Sequence, residues 1–242
     1  MRYSKLKRTT PDAALDAAMR HGDFFEGGER FRSRIAQYLL QNQQEPPAVF
    51  ALRCRRAHYL NYVARMVRWF AAATFLSRPA VTSEPAAPAW YADFQSNADG
   101  LGADFETLLG DALTDALVYG RAYLRVVSPE APAADVSPLT LAQADRLGLT
   151  DMRVVAVPVE SVTQWRRNAD GSFAWVLEHE RECALDDLDA DEETVAETFT
   201  QWRADGTASR WRIAYPRSKP PTSEADVPEI DPPANRCGAI PL

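Results

Sequence analysis

The chain has 242 residues, 46% of them hydrophobic and 25% charged, with no apolar run of the roughly 18 residues that span a bilayer. The most apolar stretch, residues 63–76, is too short and carries Arg65 and Arg68. The basic opening MRYSKLKRTT leads into PDAALDAAMRHGD and not into an apolar signal core, so no membrane or secretion role is expected.

The net charge of −7 is unevenly spread: residues 1–78 hold 14 Lys+Arg against 6 Asp+Glu, and the remainder 13 against 28. Such a split suits a nucleic-acid contact on the basic half, head-to-tail packing of opposite faces, or simply an Arg-rich helical surface. Cys54, Cys183 and Cys237 are far apart, odd in number and without a CxxC pair, so neither a disulfide framework nor a zinc site is supported.

In chain order, residues 29–44 predict a helix with Phe31, Ile35, Tyr38 and Leu39 on its apolar side, ended by Pro46-Pro47. Residues 49–75 give the strongest periodic signal and predict one long helix. Val49, Leu52, Tyr59, Leu60, Val63, Met66, Val67, Phe70 and Thr74 share a broad face, with His58, Asn61, Arg65 and Arg68 opposite. Arg56 falls inside the apolar stripe and must snorkel outward or meet an acid. Residues 79–90 hold three prolines and read as a connector.

Asn97-Ala98-Asp99-Gly100 predicts a turn. A helix over 103–119 follows, burying Phe105, Leu108, Leu109, Ala112, Leu113, Ala116 and Leu117, with Gly120 as its C′ residue. A strand is predicted over 121–127. The period then changes to two: a strand over 152–159 with Pro158 marking an edge, a hairpin of 162–167 with 173–180, and a second of 198–203 with 210–215. An acidic stretch, 186–193, separates the hairpins. The last 27 residues hold seven of the 17 prolines and predict no element.

The search for chemistry returns little. His21, His58 and His179 have no suitably spaced partners and read as surface or hydrogen-bonded residues. Gly100-Leu101-Gly102 precedes a helix but lacks the third glycine, the lysine and the preceding strand of a phosphate cradle. Asp187, Asp189 and Asp191 alternate, but Glu192 and Thr198 stand where a calcium loop needs Gly and Glu. Trp165, Trp175, Trp202 and Trp211 lie in hairpin strands, where cross-strand packing is their expected use. No catalytic residue, cofactor or metal is expected.

The order of features resembles tailed-bacteriophage portal proteins, in their N-terminal half. The likeness begins at GGERFRSRIAQYLLQNQQEPP and continues in Arg53 to Asn61, then Phe75 and Pro79. It is carried further by Trp90, Asn97, Asp99, Gly100, Gly102, Gly120 and Pro129, by the hairpin at 159–180, and by the closing Gly238-Ala239-Ile240-Pro241. The resemblance implies a structural subunit of a head-tail connector ring, a dodecamer at one capsid vertex through which double-stranded DNA is packaged and ejected. It implies no catalytic residues. The implied partners are other copies of the chain, the terminase, capsid and neck or tail proteins, and DNA passing without sequence specificity. The implied location is the virion, after assembly in the bacterial cytoplasm. Portals continue past the G-x-I-P segment, so the tail is expected to be truncated.

The expected fold is α+β: wing-like amphipathic helices, then a small antiparallel hairpin region, then a proline-rich tail. The expected divisions are a flexible basic segment (1–28), a helical region ending in a strand (29–128), a β-rich region (129–215) and the tail (216–242). Arg53, Arg55, Arg56, Arg65 and Arg68 are the candidate subunit or DNA contacts. They do not share one helix face, and no reader motif accompanies them. A basic-helix nucleic-acid or protein-interaction module is the alternative, and an amphipathic membrane-surface helix a third reading.

Overall fold

In the computed structural model, residues 1–7, 13–77, 89–127, 143, 152–184, 193–233 and 240 are described, and they form a mixed α+β protein with helices and antiparallel sheets. Most of the proline connector, the acidic stretch up to Glu192, Pro129, Cys237 and the closing segment other than Ile240 lie outside the described residues. Two compact units are present. One comprises Met1–Pro11, Thr82–Leu108 and Tyr123–Leu242, the other Asp12–Val81 and Leu109–Ala122. The expected division into four consecutive segments differs from this, because both ends of the chain belong to the first unit.

The helical unit contains α2 (Ala13–Glu26), α3 (Gly28–Ser33), α4 (Ile35–Tyr38), α5 (Pro47–Arg56) and α6 (Tyr62–Thr74). The single helix expected over 29–44 is thus two short ones, broken at Arg34 (φ −109°, ψ 7°). Arg30, Arg34 and Tyr38 all reach the carboxylate of the fully buried Asp23 on α2. On an unbroken helix, Arg30 and Tyr38 would be spread over about 12 Å of axis. Around them Phe24, Phe31, Tyr38 and Tyr59 form an aromatic core, with Phe31 and Tyr59 stacked at 4.4 Å.

The long helix expected over 49–75 is also interrupted, at 57–61. The cause lies in α2. Tyr59 donates its hydroxyl to the Phe24 carbonyl (2.7 Å) and Asn61 donates Nδ2 to the Phe25 carbonyl (2.7 Å), satisfying carbonyls that the end of α2 leaves open. Asn61 Oδ1 also accepts from the Ala64 amide (2.9 Å), which makes it the N-cap of α6. Gly27 fits beneath: its φ is 65°, and a Cβ there would stand 2.9 Å from Asn61 Nδ2.

The helix α8 (Phe105–Tyr119) forms as the sequence predicts. Asp104 Oδ1 accepts from the Thr107 amide at 2.7 Å, and Gly120 follows at φ 75°. Leu108 and Val118 are its buried residues, whereas Leu117, expected in the core, is 47% exposed.

The β-rich unit is built on β3 (Val162–Arg167), β4 (Phe173–Ala184), β5 (Thr194–Arg203), β6 (Ala208–Pro216) and β7 (Glu229–Ile230), antiparallel in that order. Both predicted hairpins are present, tightened by Asp170 on the Ser172 amide and Asp205 on the Thr207 amide. The tryptophans pack as expected: Trp202 and Trp211 are buried, and Trp165 and Trp175 lie against the two core clusters. A separate ribbon pairs β1 (Tyr123–Val127) with β2 (Arg153–Val157), whose Val157 and Tyr123 meet Val162 and Val176.

Two expectations for the chain ends differ from what is observed. The opening residues are not a free basic segment: α1 (Tyr3–Leu6) buries Tyr3 and Leu6 against Leu177, Phe199 and Trp211. Nor is the proline-rich tail without elements. Its Val227 is 1% exposed, exchanges backbone hydrogen bonds with Met1, and precedes β7. Apolar spacing is too sparse in either segment to predict this, because each supplies only one or two core residues.

Candidate interaction surface

The five candidate arginines separate into two groups. Arg53 is committed internally: its Nε and Nη2 donate to Glu45 (3.0 and 2.8 Å), and Nη2 also donates to the Leu40 carbonyl (2.6 Å). Hydrogen bonding to Arg53 holds the Glu45 carboxyl below its ordinary range. Arg53 therefore clamps the 39–46 loop onto α5. Arg55, Arg56, Arg65 and Arg68 are exposed. Arg56 thus resolves its conflict with the apolar stripe by facing solvent in the last turn of α5, where a cation suits the helix dipole. Arg68 lies 5.7 Å from the Phe25 ring, within cation–π range.

The predicted apolar face of α6 is buried only in part. Small residues, Ala64 and Ala71, are buried, with Val63 and Val67 half-buried. Tyr62 (61%), Met66 (56%), Trp69 (65%) and Phe70 (56%) instead point outward at helical spacing. Each large apolar side chain left in water forfeits about 1.5–3 kcal/mol of burial free energy. Aromatic residues, Met and Arg enriched, with Asp and Glu depleted, is the composition of the centre of a protein interface. No Asp or Glu occurs between Glu45 and Glu84. Hydrophobic periodicity identifies which residues share a face but not whether a neighbour covers it. Tyr62 and Trp69 were therefore missed, and their aromatic character beside Arg65 and Arg68 was the available signal.

The Gly-rich turn before α8 is closed to phosphate by its own side chains. Asp99 Oδ1 accepts from the Leu101 and Ala103 amides (2.7 and 3.0 Å), and Asn97 Oδ1 from the Gly102 amide (2.8 Å). These bonds hold the Asp99 carboxyl below its ordinary range, the Leu101 amide contributing most. Ala98 is fully buried and accepts from the Val154 amide. Gly100 is required here: at φ 76°, a Cβ would stand 2.4 Å from Arg153 Cδ.

The remaining polar clusters are structural in geometry. Glu197, 1% exposed, accepts from the Tyr3 and Tyr215 hydroxyls (2.6 and 2.7 Å), with Lys7 Nζ at 3.4 Å. His179 stacks on Phe199 and places Nε2 3.5 Å from the same carboxylate. Burial raises the Glu197 pKa, but the donors from His179, Tyr3 and Tyr215 and the Lys7 charge outweigh it and hold the carboxyl well below its ordinary value. Asp23 behaves alike: burial is outweighed by hydrogen bonds from Tyr38, Arg30 and Arg34. At Glu178, burial prevails over Arg125 (2.7 Å) and raises the pKa. His58 lines a pocket of about 270 Å³ with Phe31, Arg32, Ile35 and Tyr59.

Among the described residues, no cluster of three or more His, Cys, Asp or Glu side chains could hold a metal, and no helix is long and apolar enough to cross a membrane. No protein-family model matches the chain, and no curated protein matches it.

Proposed function

We propose that the chain is a structural subunit of a portal-type connector ring, belonging to its N-terminal half, with no chemistry of its own. The observation that carries this reading is the uncovered face of α6. Four large apolar side chains and two arginines stay in water on one helix, and assembly into an oligomer removes that cost. The sequence resemblance to portal proteins supplies the kind of oligomer. The helices around α6 act as the wing, and the hairpins as an attached β-rich part. Terminase, capsid and neck or tail proteins dock on the ring in the virion, after assembly in the bacterial cytoplasm.

The acidic balance of the whole chain agrees with a passage for DNA. Each phosphate neutralised by a cation adds salt-dependent affinity, which would hold duplex that must slide. The committed Arg53 removes one cation from such contacts. Light scattering and negative-stain microscopy test the proposal: the purified chain assembles into rings or ring segments, and monomers at every concentration refute it. The exposed Arg55, Arg56, Arg65 and Arg68 favour a second reading, a nucleic-acid-binding module. Tight duplex binding at physiological salt, with a steep salt slope, selects that reading instead.

A further inference from the structure

We infer that the Gly-rich turn before α8 docks on the α6 face of a second copy of this chain, with Leu101 entering the apolar stripe. This rests on the assembly proposed above and names the surfaces that carry it. Leu101 is 89% exposed, yet it sits on a turn fixed by three hydrogen bonds from backbone amides to Asp99 Oδ1 and Asn97 Oδ1. Phe94 of α7 (Ala89–Ser96) and Phe105 of α8 meet at 5.4 Å and anchor the two helices that the turn joins. A rigid, protruding leucine loses little conformational freedom when a partner covers it, which is the property of an interface anchor.

Charge selects the partner. No Lys or Arg lies between Arg78 and Arg121, and the exposed Asp93 and Asp104 flank the turn in sequence, with Asp99 within it; against these three acids stands one cation, Arg153 of β2, whose side chain packs on Gly100. The α6 segment is the reverse, with arginines and no acid between Glu45 and Glu84. Arg68 is turned toward the Phe25 ring, but two α6 faces packed on each other would bring Arg65 at the edge of the stripe against its own copy, so a self-complementary contact is disfavoured. An acidic turn bearing one apolar side chain is the match, and the same chain supplies it. The contact is then heterologous, joining unlike faces, and it propagates from copy to copy until a rotation closes it.

The experiment uses the full chain and two variants at exposed positions, Leu101→Arg and Trp69→Glu, whose unchanged circular dichroism and melting verify folding. In sedimentation velocity, the wild-type chain forms concentration-dependent oligomers, and each variant alone is monomeric. An equimolar mixture forms a heterodimer, because Leu101→Arg retains its α6 face and Trp69→Glu retains its turn. Variants that assemble like wild type overturn the docking assignment while leaving the ring proposal standing. A wild-type chain that never assembles overturns both, and a mixture that stays monomeric overturns the head-to-tail geometry. Binding of anionic phosphatidylserine vesicles that Trp69→Glu abolishes and Leu101→Arg preserves, without self-association, assigns the α6 face to a membrane surface and also overturns the inference.

Discussion

Replacing Glu197 tests whether its carboxylate fastens α1 to the five-stranded sheet. Glu197→Ala leaves the Tyr3 and Tyr215 hydroxyls, now 2.6 and 2.7 Å from carboxylate oxygens, without acceptors. A buried hydroxyl stripped of its partner costs about 1–3 kcal/mol, so the pair amounts to about 2–6 kcal/mol. That is a large share of a stability of about 5–15 kcal/mol. Glu197→Gln keeps the shape and one acceptor oxygen but loses the charge-assisted part, about 1–2 kcal/mol. The two variants also differ in acid. The folded carboxyl titrates below its ordinary value of 4.5, so its stabilisation is whole above that pH and is lost as pH falls further. Urea titrations followed by tryptophan fluorescence at several pH values measure both effects. The gap between wild type and Glu197→Gln is widest near neutrality and closes below pH 4.5. A gap that is constant with pH, or a Glu197→Ala variant within about 0.5 kcal/mol of wild type, refutes the reasoning.

Three further outcomes follow from the same geometry. Asp23→Ala strands Arg30, Arg34 and Tyr38 around an empty centre and destabilises the helical unit by about 2–4 kcal/mol, read by chemical denaturation. Asn61→Ala removes both the cap of α6 and the bond to the Phe25 carbonyl. It costs about 1–2 kcal/mol and accelerates amide exchange in the first turn of α6 before the rest of the helix. Gly100→Ala forces a Cβ toward Arg153 at positive φ, lowering stability by about 1–3 kcal/mol in thermal melts and disturbing the Leu101 turn.

The chain itself determined the elements whose signals are local. The Asn-Ala-Asp-Gly and Ala-Asp-Gly-Thr turns place both hairpins, because the side chains of Asp170 and Asp205 bond the backbone two residues on. Asp104 and Gly120 bracket α8 for the same reason, one capping its amides and the other accepting positive φ. Tertiary structure decided what depends on a distant partner. Two periodic helices are broken because Asp23 gathers three donors and because α2 ends beside Tyr59 and Asn61. Tyr3, Leu6 and Val227 enter the sheet's core from segments with no periodic signal. On α6, periodicity defined an apolar face, but the buried residues are the small Ala64 and Ala71, and Met66 and Phe70 of that face stay in water beside Trp69. A helical repeat states which side chains point together; only the packed neighbours decide which of those sides is the inside.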